Sequence, residues 1–233
     1  MHISKYQWIL FDADETLFHF DAFAGLKLLF SHYNVQFSEA DYDHYQKVNK
    51  PLWVEYQNGT IDAKTLQTQR FDEWGQKLSV SPDALNHGFL MAMADICQPL
   101  PGAKSLIDSL KGKVKLGIIT NGFTQLQQVR LQRTGLSNAF SQVIISEEVG
   151  KAKPDKAIFD YAFEKMGQPN KANVLMVGDT LQSDILGGLN AGVDTCWLNS
   201  ANLVADDAIL PHYQVNSLLE LQQRLLADTP AYK

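Results

Sequence analysis

The spacing of apolar residues changes character along the chain. Trp8-Ile9-Leu10-Phe11 is an unbroken apolar run, the pattern of a strand buried on both faces. Beyond it the spacing turns helical. Phe23, Leu26, Leu28, Leu29, Phe30 and Tyr33 give a helix over 21–33 one greasy face. A second helix is expected from Ser38, a suitable N-cap with Asp41 three residues on as an imperfect capping box. Pro51 is expected to kink or interrupt it, and Asn58-Gly59 to end it. A third helix is expected from Asp62 to Leu78. Ser81-Pro82 opens a fourth, in the N-cap and N1 arrangement, running towards Cys97.

Pro99-Leu100-Pro101-Gly102 punctuates the chain, and strand and helix alternate after it. Leu116–Ile119 reads as a buried strand, followed by the turn Thr120-Asn121-Gly122 and a helix through Arg133. Val143–Ile145 is the next strand, then a polar loop from Glu147 to Pro154 and a helix from Asp155 to Met166. Val174–Val177 repeats the pattern, with Gly178-Asp179 at its end and a helix closing near Asn190. Asp194–Leu198 is one more strand and Ser217–Leu226 the last helix. Such alternation predicts an α/β fold, a doubly wound parallel sheet with right-handed crossovers and a Rossmann-like core, interrupted after its first strand by an inserted helical module. Ligands of such sheets bind beyond the carboxyl ends of the strands, where strand order reverses.

Length allows one large domain or a core carrying an inserted subdomain, since the chain has 233 residues. Its 20 basic and 26 acidic residues leave a net charge of −6 without any dense run of Lys or Arg, which argues against a nucleic-acid polymer as partner. An anionic substrate would need a few local cations to draw it in. Cys97 and Cys196 stand in apolar stretches outside any Cys-x-x-Cys pair and are expected to be buried thiols in a reducing compartment. Only Lys5 is basic ahead of Asp12, no signal-type apolar region follows it, and no run approaches the roughly 18 apolar residues of a membrane span. No membrane partner and a cytoplasmic location are the expectation.

The three clearest strand runs each end in a residue suited to phosphate or metal chemistry. The first delivers Asp12 and Asp14, which an extended backbone points to the same side. Such a pair can hold a divalent cation, or divide nucleophile and general-acid work. The second ends at Thr120, a hydroxyl, and the third at Gly178-Asp179, whose carboxylate could share a magnesium ion with those of the first strand. Lys153, fixed by Pro154 ahead of a helix, adds a cation. Singly, Thr120 suits a turn, Lys153 a surface, and Asp179 and Asp184 a helix N-terminus. Their order along the chain favours the chemical reading.

Asp12-Ala13-Asp14-Glu15-Thr16, Thr120-Asn121-Gly122, Lys153-Pro154 and Gly178-Asp179 with Asp184 resemble the four ordered motifs of the haloacid dehalogenase-like hydrolase superfamily. The resemblance implies a core of residues 1–19 and 99–233 and a helical cap of residues 20–98. It implies that Asp12 attacks phosphorus, while Asp14 protonates the leaving oxygen and then activates water. Thr120 and the Asn121 backbone would hold phosphoryl oxygens, Lys153 would offset charge, and Asp12, Asp179 and the Asp14 carbonyl would bind Mg2+, with Mn2+ or another divalent ion as substitutes. Asp184 would support them. The dehalogenase branch typically lacks an acid at the Asp14 position, so its presence favours phosphoryl chemistry. The wider stretch from Asp12 to Asp21, with Asn121-Gly122-Phe123, resembles the bacterial pyrimidine 5′-nucleotidases, which implies a small phosphorylated metabolite as partner: a nucleotide such as uridine or thymidine monophosphate. Glu15 departs from the glycine many members carry. The alternatives are a sugar-phosphate or phosphoglycolate phosphatase, a phosphoglucomutase-like enzyme, and, outside enzymes, a receiver-like signalling domain. A receiver places its phosphorylated Asp after a later strand and has no helical insert after its first.

Overall fold

The structure is a computed structural model and describes residues 1–204 and 208–227. The C-terminal stretch 228–233 of the expected core, and 205–207 within it, lie outside the described residues. Strand β1 (Trp8–Phe11) is followed by five helices, α1 (Ala22–Ser31), α2 (Glu39–Gln57), α3 (Ala63–Gln69), α4 (Asp72–Leu78) and α5 (Pro82–Ile96). Then come α6 (Ala103–Leu110), β2 (Lys115–Thr120), α7 (Thr124–Arg133), β3 (Gln142–Ile145), α8 (Ser146–Val149), α9 (Lys156–Met166) and β4 (Val174–Gly178). A π-helical turn, Leu181–Ile185, leads into α10 (Leu186–Ala191), β5 (Asp194–Leu198), β6 (Tyr213–Val215) and α11 (Leu218–Leu226).

Among the described residues six strands form one parallel sheet in the order β3-β2-β1-β4-β5-β6. β1 lies between β2 and β4, with Phe11 opposite Ile118 on one side and Val177 on the other. The apolar run explains this place. Ile9 and Phe11 pack with α6 and α11 through Leu106, Ile107, Leu221 and Leu225, whereas Trp8 and Leu10 pack with α9 through Ile158, Phe159 and Phe163. Only a strand apolar on both faces can sit in that layer, and each large side chain buried there contributes roughly 1.5–3 kcal/mol. The chain winds outward from β1 to β3, then returns to β4 at the other flank of β1. Strand order therefore reverses between β1 and β4, and the ends of these two strands carry Asp12 and Asp179.

Helices α1 to α5 bury a separate apolar cluster that includes Leu26, Phe30, Phe37, Tyr45, Phe71 and Phe89, and Phe123, Leu126 and Ala152 from beyond β2 join it. Several local expectations need correction. Pro51 does not interrupt α2, because Tyr45 on one side of it and Leu52 and Tyr56 on the other are buried along one face, and that packing outweighs one missing N–H. The capping box of α2 is complete: Asp41 N–H donates to Ser38 Oγ and Ser38 N–H to Asp41 Oδ2. The helix expected over Asp62 to Leu78 breaks into α3 and α4, since Phe71 leaves helical geometry to bury its ring fully against Tyr45 and Phe89. The loop expected from Glu147 to Pro154 begins within a helical turn, α8, capped by Gly150 at φ 71°. Cys196 is buried as expected, but Cys97 is only half-buried, at the end of α5. The edge strand β6 is too short, at three residues, for its pattern to register. Among the described residues no helix is long and apolar enough to cross a membrane.

Candidate active site

At the reversal point, Asp12 leaves β1 with its N–H still donating to Val177 O on β4. The residue is 8% exposed, and its carboxylate meets Lys153 Nζ at 2.5 Å. Lys153, itself 1% exposed, also pairs with Asp184 Oδ1 at 2.8 Å and donates to Ile119 O at 2.6 Å. Its backbone is clamped as well. Asn121 Oδ1 accepts from Lys153 N at 2.7 Å, and Asn121 Nδ2 donates to Lys153 O at 2.9 Å. The side chain of Asn121 thus ties the end of β2 to the lysine, which is how two motifs far apart in sequence hold one register.

Asp179 follows β4 and receives Thr16 Oγ1 at 3.1 Å and Thr180 Oγ1 at 3.2 Å, while Trp197 Nε1 donates to its carbonyl at 2.8 Å. Asp184 comes from the π-helical turn, a distortion frequent at functional sites. Its Oδ2 accepts from Thr180 N and its Oδ1 from Ser183 Oγ. Gly178 leaves room for it: a Cβ there would lie 2.3 Å from the Asp184 side chain. One oxygen from each of Asp12, Asp179 and Asp184 lies within 4.8 Å of the others.

Such crowding has an electrostatic consequence. Burial, with the neighbouring carboxylates adding to it, holds Asp12 well above its ordinary range even though Lys153 pulls the other way. Burial and the Asp184 charge push Asp179 up to about 6. Burial alone would lower the Lys153 ammonium, but Asp12 and Asp184 overturn that and raise it. One ammonium among several acids leaves negative charge unbalanced. An all-oxygen donor set of this kind fits a hard divalent cation.

Asp14 stands at the edge of the same cavity but apart from that cluster. Arg130 of α7 reaches from below, donating to Asp14 Oδ1, while both its Nε and Nη2 donate to Gln127 Oε1. Thr120 closes the end of β2, its Oγ1 accepting from Gly122 N at 3.0 Å. A cavity of about 310 Å³ joins Asp12, Asp14, Thr120, Asn121, Lys153 and Asp179 to an apolar wall from the helical insert. Larger hollows among the described residues, of about 410, 490 and 740 Å³, contain none of these residues. Glu15 is also resolved. Its backbone is left-handed at φ 55°, its N–H donates to Phe18 O, and its Oε1 accepts from Phe20 N at 2.5 Å. It braces the turn by which the chain enters the helical insert.

Thr16, though inside the first motif, carried no role there, and Arg130 and Gln127 escaped the sequence reading because a polar residue in an amphipathic helix looks like a surface residue. Glu147 escaped for the same reason, although it accepts from Thr124 N at 2.7 Å and from Gln67 Nε2 at 2.6 Å and so ties α3 to α7.

Fold and site together define a Rossmann-like hydrolase, and residues 6–192 match the haloacid dehalogenase-like hydrolases. The chain belongs to that family. It is 57% identical to pyrimidine 5′-nucleotidase YjjG of Escherichia coli, over 95% of this chain and 98% of that protein. It is 38% identical to pyrimidine 5′-nucleotidase PynA of Streptococcus pneumoniae over 93% of each. Among solved structures, Bacillus subtilis YfnB bound to magnesium superposes with a TM-score of 0.80 at 31% identity, covering 93% of this chain and 97% of that one. The resemblance read from the motifs is therefore borne out.

Proposed function

We propose that the chain is a magnesium-dependent 5′-nucleotidase that releases inorganic phosphate from nucleoside 5′-monophosphates, pyrimidines preferred, through an aspartyl-phosphate on Asp12. The observation that carries this reading is the Lys153–Asp12 pair at the sheet's reversal point, beside the Asp179 and Asp184 carboxylates and beneath a small apolar cavity. The similarity to two named pyrimidine 5′-nucleotidases supports the substrate class.

Asp12, Asp179 and the Asp14 carbonyl would hold Mg2+, with Asp184 behind them, and the bound ion would cancel repulsion between carboxylate and phosphate. Mn2+ or another divalent ion suits the same oxygens. An Asp12 oxygen attacks phosphorus as the bond to the sugar oxygen breaks, and Asp14 gives that oxygen a proton. Asp14 then takes a proton from water, whose oxygen displaces Asp12 from phosphorus. Thr120 and the Asn121 backbone hold the phosphoryl oxygens, and Lys153 keeps Asp12 aimed and its charge balanced. Residues 20–98 act as a cap over a core of 1–19 and 99–233, and excluding water strengthens each of these interactions.

A phosphate-release assay with magnesium across uridine, thymidine, cytidine and adenosine monophosphates, ribose 5-phosphate and phosphoglycolate tests the proposal. Pyrimidine monophosphates turned over no faster than the sugar phosphates would sink it.

A further inference from the structure

Arg70 occupies an unusual place in the cavity wall. It stands at the break between α3 and α4, where the chain turns so that Phe71 can be buried, and it is only 5% exposed. Its guanidinium carbon lies 5.2–5.3 Å from the ring centres of Phe71, Phe89 and Phe123. Nη2 donates to Asn86 Oδ1, and the Tyr45 hydroxyl lies close enough to act on the guanidinium. Nε has no partner, and among the described residues no carboxylate pairs with this cation. Burial accordingly pulls the guanidinium below its ordinary value.

A buried guanidinium in an aromatic cage with a donor unspent is costly unless something supplies an acceptor. Asn86 satisfies part of the fork and fixes its plane. Arg70 lines the same cavity as Asp12, Thr120 and Lys153, but on the side formed by the helical insert. Phosphate recognition is already provided for by the core residues, so the acceptor belongs to the leaving group. Beside Arg70, Trp53 and Phe123 stack with ring centres 5.4 Å apart, and Phe89 adds another ring. These are faces for a planar group, and about 310 Å³ is at the small end of ligand cavities, suited to one ring rather than two.

Resting on the nucleotidase reading, we propose that Arg70 is the specificity residue that reads the base, donating from its guanidinium to an exocyclic carbonyl oxygen of a pyrimidine held against Trp53, Phe89 and Phe123. Uracil and thymine carry two such oxygens. The rings supply affinity for any flat apolar group, and Arg70 supplies the preference for one that bears a carbonyl, because an isostere without it leaves the buried cation unanswered.

The test crosses a change in the protein with a change in the substrate. Thymidine 5′-monophosphate is compared with its difluorotoluene isostere, which keeps the shape of the base but replaces both carbonyl oxygens with fluorine. In the wild-type enzyme kcat/KM should favour the natural nucleotide by about 10- to 100-fold. In Arg70→Met that ratio should collapse towards one. A wild-type ratio near one, or a ratio that Arg70→Met leaves unchanged, overturns the assignment. Should Arg70→Met fail to fold, Arg70→Lys replaces it, keeping the charge but not the planar fork, and the ratio should shrink there too; an undiminished ratio overturns the proposal. A wild-type enzyme that hydrolyses thymidine monophosphate no faster than ribose 5-phosphate brings down the nucleotidase reading as well, which separates the two failures.

Discussion

Lys153 Nζ lies 2.5 Å from Asp12 Oδ1, both groups buried, and the same ammonium stands 2.8 Å from Asp184. Breaking such a pair strands buried acids without a counter-ion. Lys153→Met should abolish turnover and lower the stability of the metal-free protein by roughly 3–5 kcal/mol. Urea unfolding in the presence of chelator measures the second effect. A midpoint equal to wild type would show that the pair contributes nothing net to the fold.

Asp12→Asn should remove hydrolysis and leave the fold in place, because the amide matches the carboxylate in size but cannot attack phosphorus. Wild-type circular dichroism beside absent phosphate release is the expected result. Steady turnover above contamination would exclude the covalent route.

Asp14 and Arg130 should matter in proportion to how poor the leaving group is. A nucleoside 5′-oxygen needs a proton as it departs, whereas p-nitrophenolate leaves well without one. Asp14→Asn should therefore depress kcat/KM, which covers only the steps up to departure of the leaving group and not the later attack of water, by about 100-fold or more on uridine monophosphate, and much less on p-nitrophenyl phosphate. Arg130→Met, which removes the side chain holding Asp14, should show the same asymmetry more weakly. Equal losses on both substrates would mean that neither residue serves proton delivery.

Metal affinity should follow the state of Asp179, whose carboxyl is pushed up to about 6, chiefly by burial and then by the Asp184 charge. In the unfolded chain its pKa is about 3.9. The folded metal-free protein thus retains a proton that the unfolded chain releases, so this group adds stability that is fully present below about pH 4 and lost as pH rises through about 6. Magnesium requires the ionised form, so its stabilising effect should grow over that same rise. Thermal melts with and without magnesium should differ more at about pH 7.5 than at about pH 5.5. A magnesium effect independent of pH would remove Asp179 from the ligand set.

Much of the molecule could be read from local pattern. The apolar run Trp8–Phe11, both faces of which are buried, marked the central strand, and Asp12, Thr120 and Asp179 stood out because each is a polar residue at the end of an apolar run. Helix starts followed from Ser38 and Ser81, where capping chemistry is carried by a few adjacent residues. The break at Arg70-Phe71 was invisible, since it depends on what Phe71 meets from α2 and α5. Pro51 misled for the converse reason: its local cost is real, but burial along α2 exceeds it.

The sequence by itself therefore determined most of the elements, the order of the strand-end residues and the class of chemistry, because these are carried by residues adjacent in the chain. The tertiary structure alone decided which acids share a volume, that Lys153 pairs with both Asp12 and Asp184, and that Asp14 leans on Arg130. It also turned Arg70 inward and left its charge unmatched beside the site. An arginine has the same local signature whether it faces water or a cavity. The difference comes from burial and from partners distant in sequence, and those exist only once the chain has folded.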